Sequence, residues 1–257
     1  MLEFREVTLE PQHLRTGLSL LFAAGERPSE AIVESILAAS DDAAVAATIS
    51  HRPREPEGWL ELLANGLTFE LHGLGATASA PVTPPLHRFG LGTDFPAEPL
   101  EALALVPGPH IAGGRAMLPV VRAITGLASN LALLLDVRAV CWEPARIWME
   151  PRYFTRLIVN WLAGGPFPAL GLTAVMPGDD GTMTSLGLDY FCGQEVEVAP
   201  GHGELPAETA KLAVRVIDNL VRRGRIDRRT ELDSPNGEVI IAEPSGDGKR
   251  VRVWRGR

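Results

Sequence analysis

Three consecutive residues, Gly193-Gln194-Glu195, interrupt the strand-like run GLDYFCGQEVEV at residues 187–198. A carboxylate beside an amide can bind a polar ligand or move a proton. Leu186, Leu188, Tyr190, Cys192, Val196 and Val198 share one parity of this run, while Asp189, Phe191, Gly193, Glu195 and Glu197 share the other. In a regular strand Gln194 therefore points to the apolar side, where its amide needs partners. Glycine enters β-bulges readily, so the expectation is a bulge at Gly193. Such a bulge would either leave Gln194 satisfied by backbone groups or aim Gln194 and Glu195 into a cleft.

A second set of candidates sits where strand-like runs end. In open α/β sheets ligands favour the carboxyl ends of parallel strands, and those ends carry Glu26, His51, His110 and Glu143. If their strands are neighbours, His110 could act as a base and Glu143 as the carboxylate that orients it. Trp142 and Trp148 flank the segment EPARI and could wall a binding site. The glycine-rich stretch PGPHIAGGR, between a strand and a helix, offers backbone amides to an anion. It matches neither the P-loop nor the dinucleotide fingerprint.

Other chemistry is poorly provided for. The six histidines, at 13, 51, 72, 87, 110 and 202, show no metal-ligand spacing, so no metal and no cofactor are expected. There is no G-x-S-x-G elbow. Cys141 and Cys192 lie in strand-like runs without a CxxC partner and read as reduced core residues of a cytoplasmic protein.

These residues must be positioned by alternating elements. Strands are expected at 17–23, 43–50 and 67–74, and helices over RPSEAIVESILAAS and at 57–65. A Pro-, Thr- and Gly-rich stretch from Ala76 to about Pro99 reads as a linker or long loop. The order then repeats: strand 100–108, helix 119–135, strand 137–142, helix 151–165, strand 169–176. A Trp-Leu pair recurs at 59–60 and 161–162. The expectation is an α/β chain with a mixed sheet, built from duplicated β-α-β-α-β units and followed by antiparallel hairpins. The halves would be 1–99 and 100–257, or one continuous domain. Hairpins are expected around PGDDGT and SGDG, with a helix at 206–223 between them.

The chain has 257 residues, of which 46% are hydrophobic and 22% charged, so it can bury a sizeable core. Its net charge of −8 disfavours nucleic acid as a partner. The charge is uneven. From Lys211 onward 12 Lys/Arg face 7 Asp/Glu, whereas the first 210 residues hold 12 against 25. Such a basic tail can form a solvated helix face, dock on its own acidic body or meet an acidic partner. The most apolar window, 116–135, carries Arg122 near its centre, which would cost about 2.5–3.5 kcal/mol in a bilayer. It is read as a buried helix, with no membrane partner. MLEFREVTLE, with three glutamates, does not read as a secretory signal.

The segments AGGPFPALGLTAV, DGTMTSLGLDYFCGQEVEV and AKLAVRVIDNLV resemble a bacterial family of uncharacterised proteins known as a domain of unknown function. The resemblance runs from about Leu103 to Gly224 and is looser before residue 100. It implies an α/β domain in the bacterial cytoplasm and carries over no activity, cofactor or functional residue.

Two function classes follow. The first is a non-enzymatic module that binds a protein or small-molecule partner. The second is a hydrolase-type enzyme using Glu195 with His110 and Glu143. Gln194 and Trp142 are the candidate ligand contacts in either case.

Overall fold

The computed structural model describes residues 16–39, 46–53, 57–232 and 237–256. They form a mixed α/β structure with six helices and two mixed sheets. The strands are β1 (Leu18–Ala23), β2 (Ala47–His51), β3 (Trp59–Ala64), β4 (Leu67–His72), β5 (His87–Phe89), β6 (Leu100–Pro107), β7 (Ala139–Trp142), β8 (Ile147–Met149), β9 (Ala174–Pro177), β10 (Met183–Leu186), β11 (Glu195–Val198), β12 (Thr230–Leu232), β13 (Ile240–Pro244) and β14 (Arg250–Arg255). The helices are α1 (Glu30–Ala38), α2 (Leu118–Leu134), α3 (Pro151–Leu162), the short α4 (Ala169–Leu172) and α5 (Asp189–Cys192), and α6 (Pro206–Arg223).

The first sheet runs β2-β3-β4-β6-β1-β7-β8-β5, with every neighbouring pair antiparallel except β5 and β8. β1 is buried along its whole length because both faces of the sheet are covered. Leu18, Leu20, Phe22, Leu103 and Leu105 pack in the core cluster that includes α2 and α3. The opposite face carries small residues, Ala102, Ala104, Ala139 and Cys141, under Ala80, Val82, Leu91 and Phe95. The Pro-rich stretch 76–99 is thus a cover over this face, not a linker. The Trp148 indole N–H donates to the Thr83 carbonyl at 3.0 Å, and Arg146 donates to that of Pro84 at 3.1 Å.

The second sheet runs β12-β13-β14-β11-β10-β9, with only β11 and β14 parallel. α6 lays Leu212, Ala213, Val216, Ile217 and Leu220 on Val196, Val198, Val251 and Val253. The basic tail docks partly on its own body, where Arg255 pairs with Glu204 at 2.5 Å, and it pairs within itself through Glu238, also at 2.5 Å.

Several expectations are corrected. Residues 59–64 form a strand, not a helix. Leu60, Leu62 and Ala64 alternate inward, and Asn65-Gly66 turns the chain with φ of 51° and 76° into β4. Residues 169–176 divide into α4 and β9. Among the described residues no duplicated β-α-β-α-β unit forms, because β3 replaces one of its helices and β9 joins the other sheet. The division at residue 99 also does not separate two sheets, since β1 lies between β6 and β7.

The sheets meet where the turn 187–189 lies on residues 144–145. Gly187 has φ +84°, and a Cβ there would come 2.9 Å from both the Ala145 Cβ and the Pro144 carbonyl oxygen. Gly187→Ala is therefore expected to destabilise the fold by about 1–3 kcal/mol, read as a lowered urea midpoint at unchanged slope.

Candidate functional site

The run 187–198 is not one strand. It contains the helix α5, which ends on Gly193 in the left-handed region at φ +74°, a conformation glycine reaches without a Cβ penalty. The expected bulge is thus a helix cap. Only four residues, Glu195–Val198, form the strand, and Val196 and Val198 face α6 as parity requires.

Glu195 lies on the other side of that strand and ties down the turn before α5. Its carboxylate accepts a short hydrogen bond from the Ser185 hydroxyl. It also accepts the backbone N–H groups of Gly187 at 2.7 Å and of Leu188 and Asp189 at 3.3 Å. Ser185 Oγ in turn accepts the Val196 N–H at 2.8 Å, continuing the β10–β11 contact past its last ladder pair. Burial raises the Glu195 carboxyl above its ordinary value, against the lowering effect of the Ser185 bond, and neighbouring Asp189 raises it further. The folded protein thus holds this proton more tightly than the unfolded chain does. The resulting stability is fully present below the unfolded carboxyl range, about pH 4.3. It is lost as pH rises through the higher folded value. The stability difference between wild type and Glu195→Gln is expected to shift against wild type across that window, measured by urea unfolding at a series of pH values.

Gln194 is completely buried, with all its amide groups in use. Its Oε1 accepts the Ile226 N–H at 2.8 Å, and its Nε2 donates to the carbonyls of Ile226 and Gly248 at 3.0 Å each. Gln194 is therefore not a ligand contact. It clamps the loop after α6 to the β13–β14 turn. Arg225 adds a second clamp by donating to the Gly248 carbonyl at 2.8 Å and to Asp227 at 3.0 Å. Its guanidinium lies over Gly193 and Gly248, where a Cβ would come 3.6 and 2.4 Å from it.

The clamped loop borders a cavity of about 480 Å³ lined by Asn219, Arg223, Arg225, Arg228, Thr230 and Leu232, among others. Five of the eight residues Arg222–Arg229 are arginine and one is aspartate. Arg223, Arg225 and Arg228 line the cavity together with Asp227, which pairs with Arg225 at 3.0 Å, while Arg222, paired with Asp218, and Arg229, 5.6 Å from the Trp254 ring, are not part of the lining. Guanidinium groups present paired N–H donors that match phosphate and carboxylate oxygens. The carbonyl end of α6 opposes an anion by about 0.3–1 kcal/mol. All three arginines are exposed, and an exposed charge pair contributes only about 0–1 kcal/mol, so contacts from more than one arginine are needed to outweigh that opposition.

The other expected constellation does not assemble. β1 separates β6 from β7, so the strand ends carrying His110 and Glu143 share one end of the sheet without being neighbours. His110 is exposed. Glu143 is buried in the turn after β7 and accepts the Ser19 hydroxyl at 2.5 Å, while its Oε2 has no hydrogen-bond partner among the described residues. No His110–Glu143 bond therefore exists. The oxygens of Glu195 are held by Ser185 and the turn amides, not by either of those residues. Trp142 is fully buried, stacked on Phe191 at 6.1 Å and edge-on to Tyr190 at 5.3 Å, so it is core and not a ligand wall. Trp148 is buried too. The glycine-rich turn uses its amides locally, with Ile111, Gly114, Arg115 and Met117 donating to the carbonyls of Gly108, Ile111, Ala112 and Gly114.

The thiols are unpaired. Burial pushes Cys192 up to about 11, with Glu195 and Asp189 adding to the rise, and burial pushes Cys141 well up. At pH 8 native Cys192 is expected to react with a disulfide reagent about two orders of magnitude more slowly than an unperturbed thiol. Stopped-flow absorbance before and after denaturation measures this. Among the described residues no cluster of His, Cys, Asp and Glu could hold a metal ion, and no helix is long and apolar enough to cross a membrane.

The cavity's arginines were legible in the sequence as the basic tail. Their place beside a cavity was not, because the clamp joins Gln194 to Ile226, 32 residues on, and to Gly248, 54 residues on. Comparison of the chain with protein-family models, with curated proteins and with solved structures found no match.

Proposed function

We propose that this protein is a non-enzymatic small-ligand-binding module, and that its site is the arginine-lined cavity at the end of α6. The ligand is a small phosphate-bearing anion. One observation carries the reading: Arg223, Arg225 and Arg228 line a cavity of about 480 Å³ whose backbone is fixed from below by the buried Gln194 amide. That volume is in the range of small-molecule sites, about 300–1,000 Å³. A preformed loop spares the ligand the entropy of ordering it. The protein is acidic overall, at −8, which repels a long polyanion while a local arginine cluster attracts a small one. Leu232 and Ile226 provide apolar surface for the organic part.

The hydrolase alternative draws no support from the geometry, because Glu195 serves as an internal anchor and His110 lacks its orienting carboxylate. A bacterial cytoplasmic location belongs to the same proposal, supported by two unpaired cysteines and an Arg-rich, Lys-poor composition. Membership of the uncharacterised bacterial family is also proposed, on the segments quoted above.

Titration calorimetry with sodium pyrophosphate tests the site. Binding is expected with Kd on the order of 0.1 mM at low ionic strength. It should weaken about tenfold in the double variant Arg223→Gln/Arg228→Gln and again in wild type at high salt. Arg252→Gln removes one equivalent charge from β14, outside this cavity, and should leave binding unchanged. Absence of binding to wild type, or equal weakening by the β14 variant, would overturn the proposal.

A further inference from the structure

The three arginines beside α6 hold one charged end of a ligand and leave several polar groups of the same lining without a role. The first is Asn219. It lies one helical turn before Arg223, so the two side chains border the same space. It is half-buried, and its side-chain amide has no hydrogen-bond partner among the described residues. Gln194 is the contrast, since its amide is buried and fully taken up by backbone groups. Asparagine is a weaker helix former than leucine or alanine, so helix propensity does not account for it here either.

The second feature is the end of the helix itself. The last carbonyls of a helix have no intrahelical donor. The Gly224 N–H takes that of Leu220 at 2.8 Å, and Arg223 and Gly224 bring this end of α6 into the lining. Its negative partial charge opposes a phosphate but favours O–H and N–H donors. Thr230 Oγ1 donates to the Arg228 carbonyl at 2.9 Å and so keeps its lone pairs as acceptors. Asp227 has one oxygen on Arg225 at 3.0 Å and a second that can accept.

The lining therefore divides into guanidinium donors on one side and acceptors on the other. A ligand that matches both carries a phosphate at one end and hydroxyl groups at the other. An ammonium group in place of the hydroxyls is repelled by three guanidinium charges. A plain alkyl chain would cover the Asn219 amide without giving it a partner, which is unfavourable. We infer that the ligand is a phosphorylated polyol, the class that includes sugar phosphates, and that Asn219 selects it, an assignment that rests on the anion-site reading and deepens it. The carbon face of the polyol packs on Ile226 and Leu232.

Titration calorimetry at low ionic strength compares glycerol 3-phosphate with n-propyl phosphate. Both are phosphate monoesters on a three-carbon chain, and they differ by two hydroxyl groups. Wild type is expected to bind the glycerol ester about fivefold more tightly. Asn219→Leu, close in size and a better helix former, should bring the two affinities within about twofold of each other. The same variant should bind pyrophosphate as wild type does and keep the wild-type urea midpoint, which separates a selecting role from a loss of folding. Pyrophosphate binding together with equal affinities for the two monoesters, or a preference that survives Asn219→Leu, would overturn this inference and leave the anion site standing. Absence of pyrophosphate binding would overturn both.

Discussion

Replacing Gln194 with alanine is expected to remove about 3 kcal/mol or more of folding stability, the largest single effect on this protein. The side chain is fully buried and answers three backbone groups: the Ile226 N–H and the carbonyls of Ile226 and Gly248. Each buried group left without a partner costs about 1–3 kcal/mol, and the vacated volume adds a cavity term. Urea unfolding measures the loss. Hydrogen exchange locates it, because the Ile226 amide should lose protection well beyond the global change while the first sheet keeps its pattern. At a temperature where the variant is still folded, pyrophosphate affinity should fall as well, since the loop carrying Arg225 and Arg228 is then held to the Gly248 turn only by Arg225 itself. A loss below about 1 kcal/mol would mean that water or rearranged backbone replaces the amide, and that the clamp is not structural.

Glu195→Ala ranks next, at about 3 kcal/mol near neutral pH. It strips the Ser185 hydroxyl and the N–H groups of Gly187, Leu188 and Asp189 of their shared acceptor. The turn they belong to rests on Pro144 and Ala145 and leads into Tyr190 and Phe191, which pack on Trp142. The damage should therefore reach the contact between the sheets and flatten the near-ultraviolet circular dichroism of these aromatic residues. Glu195→Gln keeps one acceptor oxygen and should cost about half as much. Were Glu195 instead a ligand-facing or proton-transferring group, either substitution would leave stability nearly intact.

Both results bear on why a sheet places Gly-Gln-Glu at this point. Gly193 ends a helical turn, Gln194 clamps the loop behind it, and Glu195 clamps the turn before it. Parity alone placed Val196 and Val198 on the apolar side and sent Gln194 inward, and that much was legible from residues 186–198. The helix α5 was not, because four residues are too few for a period to be recognised. The long helices α2, α3 and α6 were legible from their apolar stripes, as was the β13–β14 hairpin from its alternation around SGDG. β3 was misread because Glu, Leu and Ala favour helices, although the alternation of Leu60, Leu62 and Ala64 before Asn65-Gly66 already marked a hairpin. The catalytic grouping of His110 and Glu143 depended on strand order, which no local pattern reveals, and β1 lies between the two strands. The arginine run from Arg222 to Arg229 was visible as charge. That it borders a cavity follows from contacts to Gln194 and Gly248, which are remote in sequence.

The most direct measurement is a map of amide chemical-shift changes over the assigned backbone as pyrophosphate is added to the 257-residue chain. Saturable changes confined to residues 219–232 and the adjoining Gly248 turn, with those at His110, Glu143 and the 187–189 turn unmoved, are the expected result. Changes centred on His110 or Glu143, or no saturable change anywhere, would contradict it.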